Sequence, residues 1–299
     1  MHYLTGPQMP WMSFAWDVAR LCVWLVLLTA VFVPLERVFT LHPAKFLRRD
    51  IGADVAYYFI NSLLPAALLA TPLAVLATLA HHVVPDGWHA AVQGLPLWAR
   101  ALAGLVVADM GSYWGHRLSH SIPWLWRFHA VHHSATHMDF LVNTRAHPVD
   151  LVVVRLFGLV PLSLLGLGSA GTTGSLLPVV VVLAGTFVGF FLHANVRWRF
   201  GPIEWLVATP AFHHWHHSKL APINRNYAAT LPWIDRLFGT YYLPASQWPA
   251  QYGIAQTLPP TLGGQLVGPL VWPRIARWFA RAQPSEPAHQ HAGVEKSAQ

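Results

Sequence analysis

Twelve of the nineteen histidines in this chain fall between residues 116 and 217, and they are grouped. HRLSH carries His116 and His120, HAVHH carries His129, His132 and His133, and HHWHH carries His213, His214, His216 and His217. Positions i, i+3 and i+4 share one face of a helix. Each box therefore predicts a helix end that presents two or three imidazoles toward one point. Neutral imidazole is a good ligand for zinc, copper, iron and nickel, and burying so many titratable rings together with no ion between them is costly. One structural zinc uses four ligands. The eight ring positions that keep the helical spacing exceed that number, so two ions are the economical reading.

Other ligand types are scarce. Between residues 116 and 217 the only carboxylates are Asp139, Asp150 and Glu204, which excludes a glutamate-rich bundle site. The single cysteine, Cys22, excludes a disulfide within the chain and makes a thiolate site implausible. His2, His42, His81, His82, His89, His289 and His291 stand outside the boxes and are read as interfacial or hydrogen-bonded residues. His137 and His214 break the spacing and stay outside the expected ligand set.

The elements that position the boxes are apolar. Hydrophobic residues make up 54% of the 299 and charged residues only 10%, against about 25% charged in soluble domains. Mean hydropathy is +0.39, and the fifteen tryptophans suit side chains that anchor at membrane interfaces. The expected class is an all-α, polytopic membrane bundle capped by a histidine-rich helical di-metal site. Spans are expected at 14–35, 55–80 and 98–114, with Pro65 and Pro72 kinking the second. A hairpin at 149–192 is spanning or re-entrant, because each arm has only 17–19 residues. The opening residues lack the basic region of a cleaved signal peptide. Three parts follow: membrane helices at 1–97, a metal-binding domain at 98–248, and a C-terminal segment at 249–299 whose tail from Ser285 is polar and expected to be disordered.

Charge orients this bundle. Arg37, Lys45, Arg48 and Arg49 follow the first span, whereas residues 81–97 and the GSAGTTGS tip of the hairpin contain no Lys or Arg. The positive-inside rule then places all three histidine boxes on the cytosolic side. The net charge of +7 forms no long basic run and is read as cytosolic-face charge rather than a nucleic-acid surface.

DMGSYWGHRLSH, LWRFHAVHHS, NTRAHP, FLHANV, TPAFHHWHHS, NRNY and DRLFGTYY, in that order over roughly 105–245, resemble the fatty acid hydroxylase (sterol desaturase) superfamily of membrane di-iron enzymes. The resemblance implies two iron ions, O2 as co-substrate and an external electron donor. It implies as ligands His116, His120, His129, His132, His133, His147, His193, His213, His216 and His217. Asp109, seven positions before His116, and Asn195, two after His193, are expected to orient ligand imidazoles. Arg145 is expected to pair with Asp150 or Asp139, or to meet a lipid phosphate. Asn226, Tyr227 and Asp235 are read as packing.

The leading reading is a hydroxylase acting on a C–H bond of a membrane lipid, a fatty acyl, amino-lipid or sterol-like molecule. No flavin, haem or dinucleotide fingerprint is visible, so electrons come from a separate ferredoxin-like or cytochrome partner. Desaturation by the same centre is the alternative enzymatic reading, and a non-catalytic metal-binding or transport protein is the alternative from another class.

Overall fold

The computed structural model describes residues 10–43, 45, 47, 48, 50–167 and 177–271. The GSAGTTGS tip, Arg49 and the tail from Ser285 lie outside the described residues. The described part is helical. It has no strand, only two isolated bridges that join Thr40 to Val196 and Ser218 to Tyr252.

Two long apolar helices come first, α1 (Pro10–Val38) and α2 (Ile51–Val83). The stretches Trp11–Val38 and Ile51–Leu76 are long and apolar enough to cross a membrane. α2 runs through both Pro65 and Pro72 without ending. A short helix α3 (Asp86–Gln93) meets α4 (Leu97–Ser121) at a bend of 113°, and the pair together is long and apolar enough for a broken span or a re-entrant loop. Two or three membrane-capable segments result, with exposed faces carrying Trp16, Val23, Val26 and Leu27.

α4 does not stop at Trp114. It continues to Ser121, so the third apolar helix and the HRLSH box are one rod. Pro123 then opens α5 (Pro123–His133) at a position where its missing N–H costs nothing. A 3₁₀ turn (Phe140–Thr144) leads into α6 (Pro148–Leu164), and α7 (Leu177–His193) returns. Each hairpin arm has 17 residues, about 25 Å of helix. A second 3₁₀ turn (Gly201–Trp205), α8 (Pro210–His216), α9 (Trp233–Leu237) and α10 (Leu262–Val267) complete the cap.

Close approach of backbones sets the frame. α4 lies against α6, with Gly111 facing Gly158. A Cβ at Gly111 would collide with the Phe157 carbonyl oxygen, and one at Gly158 would sit 2.7 Å from Ser112 Oγ. Gly111 and Gly115 form the small-xxx-small spacing that lets membrane helices touch. A separate apolar core joins α1 to the cap, where Phe32 stacks on Phe140 at 5.3 Å and packs with Phe190.

Candidate metal centre

Each histidine box ends or nearly ends a helix, and the helices aim these ends at one region. Thr209 caps α8 by accepting from the Phe212 N–H, which starts the turn that carries His213, His216 and His217. The rings form two groups. His116, His120, His129, His133 and His216 bring donor atoms within 4.8 Å of one another, and so do His132, His193, His213 and His217. Thus nine of the ten expected ligands converge.

The division between groups differs from the expectation that one box serves one point. His129 and His133 enter the first group while His132 enters the second; His213 and His217 enter the second while His216 enters the first. Positions i+3 and i+4 lie about 100° apart around a helix, so one box contributes to two adjacent groups of rings. The groups adjoin where the His133 and His217 rings stack at 4.4 Å.

Whether these rings suit metal is decided by their hydrogen bonds. The Nδ1 atoms of His116, His132, His193 and His216 lie 2.8–3.0 Å from the carbonyl oxygens of Tyr227, Arg145, Gly189 and Arg225. A carbonyl only accepts, so each ring donates from Nδ1 and keeps a lone pair on Nε2. His129 Nδ1 likewise faces Asp150 Oδ2 at 2.9 Å. In the first group Nε2 of His129 is 3.1 Å from Nε2 of His116 and of His120, and 3.0 Å from that of His133. In the second the Nε2 separations are 3.4, 2.9 and 3.1 Å along His132, His193, His213 and His217. Nitrogens bound to one ion at about 2.1 Å are themselves about 3.0–3.4 Å apart. Lone pairs this close repel one another unless a cation lies between them. Nε2 of His216, buried and without a hydrogen-bond partner, fits the same reading.

Burial pushes His129, His132, His133, His213, His216 and His217 well below the ordinary histidine range, and neighbouring imidazoles push most of them further. Neutral rings are the form that binds metal.

His147 is not in either group. Its Nδ1 accepts from the Val149 N–H at 3.1 Å and caps α6, while Nε2 donates to the Leu266 carbonyl at 2.9 Å. Both ring nitrogens are engaged, which leaves none for an ion. Asp109 does not reach an imidazole. It lies two turns, about 10 Å, back along α4 from His116, and its carboxylate accepts from the N–H groups of Ala229, Thr230 and Leu231. Asn195 turns toward the end of α1, accepting from His42 N–H and donating to His42 O. Arg145 pairs with Asp54 at 2.5 Å and with Asp50 rather than with Asp139 or Asp150.

Other supports were not legible. Asp150 is the carboxylate that meets a ring of the first group, that of His129, and Asn224 Oδ1 faces His120 Nδ1 at 3.1 Å. Asp235 accepts from the N–H groups of Tyr227 and Ala228, and Asn226 ties the same loop to Phe212 and Tyr242. Read as packing, these residues hold the carbonyls of Arg225 and Tyr227 in position for His216 and His116. His214 also breaks the pattern: its Nε2 donates to the Ala194 carbonyl, its Nδ1 accepts from Tyr252 O–H, and burial pushes it down to about 3.

An all-helical membrane protein with a paired polyhistidine site defines a class, and comparison with known proteins agrees. Residues 101–240, a little under half of the chain, match the family model described as fatty acid hydroxylase. It is 37% identical over 191 residues to an ornithine lipid hydroxylase of Rhizobium tropici, covering 63% of this chain and 53% of that protein. It is 33% identical over 145 residues to an alkylglycerol monooxygenase of Danio rerio, covering 48% of this chain and 30% of the relative. A methylsterol monooxygenase of Arabidopsis thaliana is 28% identical over 151 residues, 49% of this chain and 55% of its own. The matched region thus spans about half or less of each of these relatives. No solved structure matches.

Proposed function

We propose that the protein is a membrane di-iron oxidoreductase that hydroxylates a C–H bond of a lipid, using O2 and two electrons from a separate redox protein. The single observation that carries this is the pair of adjoining imidazole groups, each with Nε2 lone pairs converging. The relatives support it, since those named above are lipid hydroxylases or monooxygenases by name. The balance is one C–H, O2, two electrons and two protons giving one C–OH and one water.

His116, His120, His129, His133 and His216 would hold one iron, and His132, His193, His213 and His217 the other. Bound there, the pair supplies reductive activation of O2. The chain's own part is to hold and to exclude. Backbone carbonyls fix the tautomer of four rings, and Asp150 fixes that of His129. Burial of His129, His133, His213, His216 and His217 keeps bulk water from the centre. The boxes face the cytosol, where basic loops steer an acidic electron donor.

Purified, iron-loaded protein should hold about two irons per chain. In lipid vesicles with reductant and O2 it should yield a lipid product heavier by one oxygen. A product lighter by two hydrogens would reassign the outcome to desaturation; iron well below one per chain with no lipid oxidation would remove the proposal.

A further inference from the structure

A cavity of about 170 Å³ opens beside the end of α1, between that helix, the start of α2 and the 3₁₀ turn at Phe140–Thr144. Its wall is apolar on one side, where Val33, Ile51 and Phe140 stand, and charged on the other, where Glu36, Arg37 and Lys45 stand. Asn195, two residues beyond the ligand His193, closes it on the side of the metal centre.

The charges are arranged by sign. Glu36 is half-buried, and only one of its oxygens is engaged among the described residues: Oε1 accepts from the Phe140 N–H at 2.7 Å and from the Asn195 N–H at 3.1 Å. Oε2 has no hydrogen-bond partner among those residues. Arg37 and Lys45 are exposed and form no ion pair among them. The neighbouring acid Asp139 is not available to them, because Arg48 holds both its oxygens, at 2.5 and 2.8 Å. Among the described residues the cavity thus offers one carboxyl oxygen and two unpaired cations beside an apolar wall.

We propose that this cavity binds the polar head of a zwitterionic amphiphile: an ammonium group at Glu36, an acidic group at Arg37 and Lys45, and the first carbons of the chain along Val33, Ile51 and Phe140. This deepens the proposed function by naming its substrate class and rests on it only for the statement that the bound lipid is a substrate; the binding itself does not. A purely anionic or purely cationic head satisfies half of the site and leaves the other charge opposed to nothing. The location explains the use. The cavity wall shares Asn195 with the chain leaving His193, and Arg145, whose carbonyl orients His132, directly follows the 3₁₀ turn that contributes Phe140. A head held here places carbons near the head, rather than the far end of an acyl chain, closest to the metal centre.

The test uses iron-loaded full chain in micelles of a nonionic sugar detergent, which carries neither charge, and three probes of equal chain length. Nα-lauroyl-lysine carries both charges, N-lauroylglycine only the carboxylate, and dodecylamine only the ammonium. The first should bind roughly tenfold or more tightly than either of the others, a factor that corresponds to one well-formed charge contact. Glu36→Gln keeps an acceptor for the two backbone N–H groups, so the fold survives, and it should reduce the lysine derivative to the affinity of N-lauroylglycine. Arg37→Gln with Lys45→Gln should reduce it to that of dodecylamine. Inorganic phosphate at millimolar concentration should compete weakly with N-lauroylglycine and not displace the lysine derivative. Equal affinity for all three probes, indifference to both variants, or full displacement by phosphate would each overturn the proposal. Selective binding with no lipid oxidation would leave the cavity standing and remove the hydroxylase reading; oxidation with no selectivity would do the reverse.

Discussion

Asp150 supplies a carboxylate 2.9 Å from Nδ1 of His129, and His129 Nε2 is close to three other rings of its group. Losing its charge weakens the donor strength of the most connected imidazole. Asp150→Asn keeps an oxygen acceptor and the shape, so the fold should persist while iron affinity falls about 10–100-fold, measured by chelator competition. His132 and His147 make a sharper contrast. His132→Ala removes one of four donors in the second group and should cut iron to about one per chain. His147→Ala should leave iron at the unmodified level and lower stability by about 0.5–2 kcal/mol, the cost of a lost helix cap; metal content and thermal unfolding separate the two. Proton linkage follows from the same rings. Burial first, and neighbouring rings second, lower the folded values of His132, His213 and His217 below the ordinary 6.5. The unfolded chain then binds more protons than the folded one below that pH, so stability rises with pH through this window. Metal-free protein should be fully stable at pH 7.5 and melt at progressively lower temperature below pH 6.5. A melting temperature flat from pH 7.5 to 5 would show that the rings are not held neutral.

The elements explain why some of the site was legible and some was not. Helical spacing within HRLSH, HAVHH and HHWHH is local, so eight of the nine grouped rings could be read from spacing, and His193, which stands outside the boxes, only from the resemblance. The distribution of those rings between two groups depends on how helices cross, which spacing within one box does not encode. Asp109 shares a face with His116, but a shared face two turns away meets a different neighbour, the loop at 229–231. The backbone carbonyls that orient four rings leave no trace in side-chain identity at all. The α4–α6 crossing rests on Gly111 and Gly115, four apart in a helix, and it places Asp150 at the start of α6 against His129. Gly111→Leu tests this. Its side chain would meet the Phe157 carbonyl at the crossing, where overpacking costs about 1–3 kcal/mol. Because α6 must move away, the variant should also lose iron affinity although residue 111 touches no ligand. Gly104→Leu, on the same helix but with its nearest neighbour 3.7 Å away, should leave iron affinity unchanged.

At the scale of the whole molecule, tryptophans and charges give two views of one orientation. Exposed Trp11 and Trp16 begin α1, and exposed Trp88 and Trp98 lie on α3 and the start of α4, so these four belong to one side of the bundle. Exposed Trp114, Trp124 and Trp205 lie at the other side, with the histidine cap. From Trp98 to Trp114 α4 rises about 24 Å, close to the apolar thickness that separates two interfacial aromatic belts. Lys and Arg are absent from residues 81–97, next to the first belt, and present as Lys45, Arg48 and Arg225 next to the second. The ion pairs of Arg48 with Asp54 and Asp139 do not cancel this asymmetry, because the rule counts Lys and Arg rather than net charge. The cap is therefore expected in the cytosol. With Cys22 as the single cysteine, Cys22→Ser gives a blank background for reporters. Ala91→Cys, exposed in α3, should react with a membrane-impermeant maleimide in intact cells stripped of any outer envelope. Ala245→Cys, exposed in the cap beside the Arg199 contact to Pro244, should react only after permeabilisation. The inverse labelling pattern would turn the cap outward, and with it the surface on which a cytosolic electron donor could dock.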